Sequence, residues 1–218
     1  MKKNIKILFI GNSLTYYNFL PECARRIFES AGITAECVML TTGGKCLDFH
    51  ADQKCVKYNI LYGHYDYVVL QGRAGGYDRE KFLEGGRKIN EWIKAAGSEA
   101  ILYNVWSLKG RRKKDQEELN EGYAALGAEI GARIAPAGDV WHQCERIHGM
   151  CELYRDDGNH PMPAGTYINA STIFYTIAGR ERALRLEEGG VFEDYGLTLD
   201  QAQKAHKIAC RRAAEKNA

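Results

Sequence analysis

Two short segments carry side chains whose types and spacing could do chemistry together. The first, Gly11-Asn12-Ser13, sets a serine directly behind an apolar run at residues 5–10. A serine hydroxyl is a poor nucleophile unless a neighbouring base takes its proton as it attacks. The second, Asp157-Gly158-Asn159-His160, sets a carboxylate three positions before an imidazole. Within a turn, that spacing lets the carboxylate accept from one ring nitrogen and leaves the other facing a substrate. Each segment has a plainer reading when taken alone: Ser13 as a helix cap, and Asp157 and His160 as parts of a solvent-exposed turn. The remaining histidines lack this context; His50 and His64 read as helix or turn residues, and His206 falls on a terminal helix.

The elements that must position these residues follow from the hydrophobic pattern. Residues 5–10, 34–40, 66–71 and 99–105 read as strands, with a short fifth strand over 134–137. Helical stripes lie between them, over the segment that begins near Pro21 and over residues 47–60, 79–96 and 115–134. Gly158, Pro161 and Pro163 mark a loop of fixed geometry, anchored by a helix that begins near Ala164. Apolar strands alternating with helices specify an α/β fold: a three-layer α/β/α arrangement around a central five-stranded parallel sheet. Such sheets bind ligands outside the carboxyl ends of their strands. That rule selects residues 11–13, 41–44, 71–76 and 104–107 and the segment from Gly138 onward. A capping pattern from Thr198 to Gln201 begins a C-terminal helix near 198–215, and we expect residues 1–218 to form a single domain.

Composition narrows the classes of function. Apolar residues make up 45% and charged residues 27% of the 218, ordinary values for a globular protein. Thirty basic and 28 acidic side chains leave a net charge of +2, with no global field to recruit polyanions. The one dense basic run, residues 109–114, lacks an aromatic platform or a helix-turn-helix pattern, so no nucleic-acid partner is expected. No stretch is long and apolar enough for a membrane span, and the N-terminal apolar run lacks a signal-peptide cleavage site. Seven cysteines without a regular framework point to reduced thiols and a cytoplasmic location. The spacing of His142, Cys144, His148 and Cys151 matches no standard zinc arrangement, and no metal or organic cofactor is expected.

The ordered pair of Gly11-Asn12-Ser13-Leu14 near the start and Asp157-Gly158-Asn159-His160-Pro161 late in the chain resembles the SGNH/GDSL hydrolase family. The resemblance implies a flavodoxin-like sheet, Ser13 as nucleophile, His160 as general base and Asp157 as its orienting carboxylate. It also implies an oxyanion hole. The backbone N–H of Ser13 would be one donor and that of Gly44 in "TTGGKCL" another, or Gly43 if the register slips. The family's third donor is an asparagine two residues after a glycine, but here "VVLQGRAGG" leaves Ala74 at that place. Gln71 is the nearest replacement amide, with Arg73 as the other candidate. Asn12 stands where the family usually has aspartate, and it can tie the turn together or touch substrate. Tyr16, Tyr17 and Trp106 join Asn12 and Arg73 as candidate substrate contacts. The implied reaction is cleavage of a carboxylic ester through an acyl-enzyme, with short acyl groups such as acetyl on a carbohydrate or other small alcohol. The alternatives are a non-catalytic ligand-binding module on the same fold and acyl transfer to an alcohol.

Overall fold

Runs rich in β-branched and aromatic residues form the strands. In the computed structural model, which describes residues 2–182 and 184–218, these are β1 (Asn4–Gly11), β2 (Thr34–Thr41), β3 (Tyr67–Leu70), β4 (Glu99–Tyr103) and β5 (Arg133–Ala135). All pair in parallel, in the order β2-β1-β3-β4-β5. The register sets Ile10 against both Leu40 and Leu70, and Leu70 against Leu102. The carboxyl ends of four strands are therefore level, and the loops that leave them lie side by side.

The connections are α1 (Ser13–Tyr16), α2 (Leu20–Ser30), α3 (Leu47–Ala51), α4 (Lys54–Tyr62), α5 (Arg79–Ala95), α6 (Arg112–Ile130), α7 (Ala137–Cys144), α8 (Pro163–Ala178) and α9 (Leu199–Lys216). Successive side chains of a strand point to opposite faces. Ile5, Ile7 and Phe9 thus join the core formed with α2, α7, α8 and α9, while Leu8 and Ile10 join the one formed with α3, α4, α5 and α6. Helix α8 is buried along almost its whole length, because α2, α7 and α9 cover the faces the sheet leaves open. The small side chains Ala202, Ala205, Ala209 and Ala213 let α9 pack closely there. Its start is fixed by a reciprocal capping box between Thr198 and Gln201.

Three sequence expectations need correction. Residues 47–60 form two helices, because Gln53 takes an extended conformation between α3 and α4. The short α3 can then lie against α5 at Gly85, where a Cβ would come within 2.2 Å of the Asp48 backbone nitrogen. Helix α7 was not expected as a helix; its eight residues are too few for the hydrophobic period to show. Strand β2 is not a continuous buried run, since it is the sheet edge and leaves Met39 exposed. Of the basic cluster at 109–114, the side chains of Arg112 and Lys113 lie outside the described residues. Among the described residues no helix is long and apolar enough to cross a membrane.

Candidate active site

The strand order reverses direction between β1 and β3, and in an open parallel sheet a crevice opens at that switch point. Ser13 follows β1 and Arg73 follows β3, so both stand at it. Gly11 ends β1 because nothing larger fits: a Cβ there would lie 2.4 Å from Gln71 Oε1 and 2.6 Å from Thr15 Oγ1. The chain then turns into the single helical turn α1, with Asn12 as its cap. Asn12 Oδ1 accepts from the Leu14 N–H at 3.1 Å, and Nδ2 donates to the Lys45 carbonyl at 2.8 Å and the Gly72 carbonyl at 3.4 Å. His50, which the sequence did not single out, donates from Nε2 to the Gly11 carbonyl at 2.8 Å. Burial lowers its pKa, consistent with a neutral, structural imidazole.

The partner of Ser13 arrives on the loop between α7 and α8. Tyr154 and Pro161 form an antiparallel bridge at its base. Within it the Arg155 N–H donates to the His160 carbonyl at 2.9 Å, and Gly158 takes a left-handed φ of +66°. The chain after β4 holds the loop from beneath: Trp106 Nε1 donates to the Asn159 carbonyl at 3.0 Å, and the Tyr154 hydroxyl donates to the Ser107 carbonyl at 2.8 Å. A second clamp comes from Asn18, whose Nδ2 donates to the Pro161 carbonyl and to Thr166 Oγ1, each at 2.9 Å. Asn18 holds a left-handed φ of 49° to do so.

These supports bring together residues far apart in the chain. Ser13 Oγ lies 2.8 Å from His160 Nε2, and His160 Nδ1 lies 2.6 Å from Asp157 Oδ2. The other carboxylate oxygen accepts the N–H groups of Asn159 and His160, both at 2.9 Å. Partial burial works against the Asp157 charge, but the hydrogen bonds from the His160 side chain and those two N–H groups outweigh it and hold the carboxyl at about 2. An ionised carboxylate can only accept, so Nδ1 carries the proton and the Nε2 lone pair faces Ser13. Tyr17 stacks on the imidazole at 4.4 Å and limits its rotation.

The cleft that results has a volume of about 330 Å³ and is lined by Ser13, His160, Tyr16, Tyr17, Gly44 and Arg73, among others. Ser13 keeps 9% of its surface exposed there. Gly44 has a φ of +69° with open space where a side chain would be, and its N–H, like that of Ser13, donates to no group of the described residues. A larger hollow, about 910 Å³ between Arg180, residues 184–186 and α9, is lined by no serine. Size alone would misplace the site.

The structure does not support three of the sequence candidates in their expected roles. Gln71 is fully buried, and its Oε1 accepts from the Asn12 N–H at 2.9 Å and the Thr15 hydroxyl at 2.8 Å. Those donors fix the amide's orientation and turn Nε2 to the Gly72 carbonyl, so Gln71 ties β1 to β3 and is not an oxyanion donor. Trp106 is fully buried, stacked 4.1 Å from Trp141, and props the histidine loop without touching the cleft. Asn12 borders the cleft, but its polar atoms are committed to the turn. Tyr16, Tyr17 and Arg73 do line the cleft.

A second set of the same residue types shows what the geometry must satisfy. Ser107 Oγ lies 3.1 Å from His142 Nε2, and His142 Nδ1 lies 2.8 Å from Glu145. Here Nε2 also faces Gln116 Oε1 at 3.1 Å, an oxygen already accepting the Ser107 N–H. His142 Nε2 thus faces an acceptor oxygen as well as the Ser107 hydroxyl, a competition that His160 Nε2 does not meet among the described residues. Ser107 is also only 1% exposed. Among the described residues no group of three or more His, Cys, Asp or Glu could hold a metal ion.

No protein-family model and no curated protein matches the sequence. Solved structures do. A protein of Slackia heliotrinireducens, provisionally assigned as an SGNH hydrolase, is 25% identical, with a TM-score of 0.69 over 80% of this chain and 99% of that one. A lipolytic protein of the G-D-S-L family, also provisionally assigned, from Desulfitobacterium hafniense is 16% identical, with a TM-score of 0.61 over 77% of this chain and 96% of that one. A variant of an acetyl xylan esterase from Geobacillus stearothermophilus is 13% identical, with a TM-score of 0.55 over 84% and 97%. The chain thus has the three-layer α/β/α fold of the SGNH/GDSL hydrolases.

Proposed function

We propose that this chain is a serine esterase that cleaves short acyl groups from small alcohols. The observation that carries the reading is the Ser13–His160–Asp157 relay, at 2.8 and 2.6 Å, opening on the cleft at the switch point of an SGNH-type sheet. Ser13 Oγ attacks the ester carbonyl while His160 Nε2 takes its proton, and Asp157 stabilises the imidazolium that forms. The oxyanion develops against the free N–H groups of Ser13 and Gly44, and each such donor is commonly worth about 10²- to 10³-fold in rate. With Gln71 withdrawn, the third donor comes from the wall after β3, where Arg73, Ala74 and Gly75 border the cleft. His160 then gives its proton to the leaving alcohol, and a water activated by the same nitrogen releases the acid.

A cleft near the small end of the usual range for ligand sites suits a short acyl group. The Tyr16 and Tyr17 rings, stacked 5.7 Å apart at its edge, offer a wall of the kind that sugars pack against. The likeness to an acetyl xylan esterase is in keeping with an acetylated carbohydrate as substrate. The test combines labelling by a fluorophosphonate probe with hydrolysis of a short-chain aryl acetate. Wild type is labelled at Ser13 and active; Ser13→Ala is neither, and His160→Ala loses nearly all activity. Retained hydrolysis in both variants would overturn the mechanism.

A further inference from the structure

Arg73 carries a positive charge for which the described residues provide no hydrogen-bonding or ion-pair partner, although the residue is half-buried at the floor of the switch point. Its backbone is held in place: the Gly72 N–H donates to the Tyr123 hydroxyl at 2.8 Å, and the Arg73 N–H is directed at the Cys46 sulfur. Its head lies across Gly76, where a Cβ would come within 3.2 Å of Nη2. A guanidinium offers five N–H donors in a fixed fork, and here no described residue occupies them, so they are available to the acceptors of a ligand.

The charges around it give the sign and the place of that ligand. The cleft lining contains no carboxylate, and Asp157 behind it is committed to His160. Nearby Arg155 lies over the Tyr17 ring at 5.5 Å, adding a second cation at the rim. A neighbouring hollow of about 440 Å³ shares Gly44 and Arg73 with the cleft and is lined by Lys45, Lys81, Asp48, Asp52 and Asp78. There Asp52 binds Lys88 at 2.7 Å, Asp78 faces Lys81 at 3.6 Å and Lys45 rests on the Phe49 ring. The carboxylates thus line the neighbouring hollow, to which Cys46 and Gly76 also belong, whereas the cleft that Arg73 shares with Ser13 contains none.

We propose that Arg73 makes the enzyme selective for esters that carry a carboxylate or phosphate on the acyl or the alcohol side of the scissile carbonyl, a proposal that rests on the esterase reading. Planar bidentate recognition of such groups is what a guanidinium does best.

The experiment compares kcat/KM within matched pairs: 4-acetoxybenzoate against its methyl ester for a charge on the alcohol side, and monoethyl succinate against ethyl pentanoate for the acyl side. An acetylated sugar with and without a phosphate distinguishes phosphate from carboxylate. Wild type should favour the anionic member of at least one pair by about tenfold or more, mainly through KM, with the ratio shrinking in high salt. In Arg73→Ala the ratio should fall towards one, and Arg73→Lys should retain part of it. Ratios near one for wild type in every pair, or a ratio that survives in Arg73→Ala, would overturn the proposal. A purely structural role would lower both members of a pair equally and overturn it too. If wild type hydrolyses none of these esters and Ser13 resists the fluorophosphonate, the esterase reading itself fails. Arg73 is then judged by titrating 4-hydroxybenzoate and succinate into wild type and Arg73→Ala, and equal affinity counts against it.

Discussion

Replacing Asn18 should loosen the fold and the reaction together, because this one side chain joins the serine turn to the histidine loop. Its amide donates to the Pro161 carbonyl and to Thr166 Oγ1, both at 2.9 Å, across more than 140 residues of chain. Each bond is worth about 0.5–1.5 kcal/mol net, so deleting both costs about 1–3 kcal/mol. Asn18 also sits at a φ of 49°, a region that asparagine tolerates and alanine resists by about 1 kcal/mol or more. Asn18→Ala should therefore lose about 2–4 kcal/mol, and Asn18→Gly about 1 kcal/mol less, since glycine adopts that φ without strain. Asn18→Asp keeps the backbone tolerance but turns an acceptor towards the Pro161 carbonyl, and should be at least as damaging as alanine. Pro161 adjoins His160, and misplacing a catalytic group by about 1 Å can cost about 10²-fold. A fall of about ten- to a hundredfold in kcat/KM for an aryl acetate should accompany the stability loss. Urea unfolding with an unchanged m-value measures the first quantity and initial rates the second. The reasoning is refuted if Asn18→Ala lies within about 0.5 kcal/mol of wild type, or if glycine proves no better than alanine there.

Gln71→Ala should unfold at a lower urea concentration by about 2–4 kcal/mol, because it strands the buried Asn12 N–H and Thr15 hydroxyl; normal stability with a rate lowered about 10²-fold would restore the oxyanion role. Asp157→Asn should keep the fold but lower kcat by about 10²- to 10⁴-fold through the wrong imidazole tautomer, and a rate near wild type would sink the relay. Trp106→Phe, which keeps the stack on Trp141 but drops the bond to the Asn159 carbonyl, should cost about 0.5–1.5 kcal/mol and reduce kcat more than it raises KM. Burial lowers His206 from 6.5 to about 4, so the unfolded chain binds the extra proton first as pH falls. Stability should accordingly drop between about pH 6.5 and pH 4, by at most about 3 kcal/mol from this group, and urea midpoints of His206→Gln should flatten over that window.

Reading the chain alone was sufficient for the parts set by local chemistry. The strands announce themselves because a sheet covered on both faces needs continuous apolar runs, and parallel pairing needs the intervening helices. Ser13, Asp157 and His160 were legible as candidates only as an ordered pair of segments, since each segment taken alone reads equally well as a cap or a turn. The helix break at Gln53 was not legible, since it answers to the close approach of α3 and α5 at Gly85, between elements far apart in sequence. Gln71 shows the same limit from the side of function. An amide at the end of a strand can face the cleft or the neighbouring strand, and residue type does not say which. That choice was made by the Asn12 N–H and the Thr15 hydroxyl, which reach its oxygen only once β1 and β3 lie side by side. The two Ser-His-carboxylate sets make the same point, because their composition is alike and their distances are similar. Only the tertiary contacts decide which imidazole faces a competing acceptor, since a proton's position depends on every acceptor around it: Gln116 competes for His142 Nε2, whereas Asp157 leaves His160 Nε2 to Ser13.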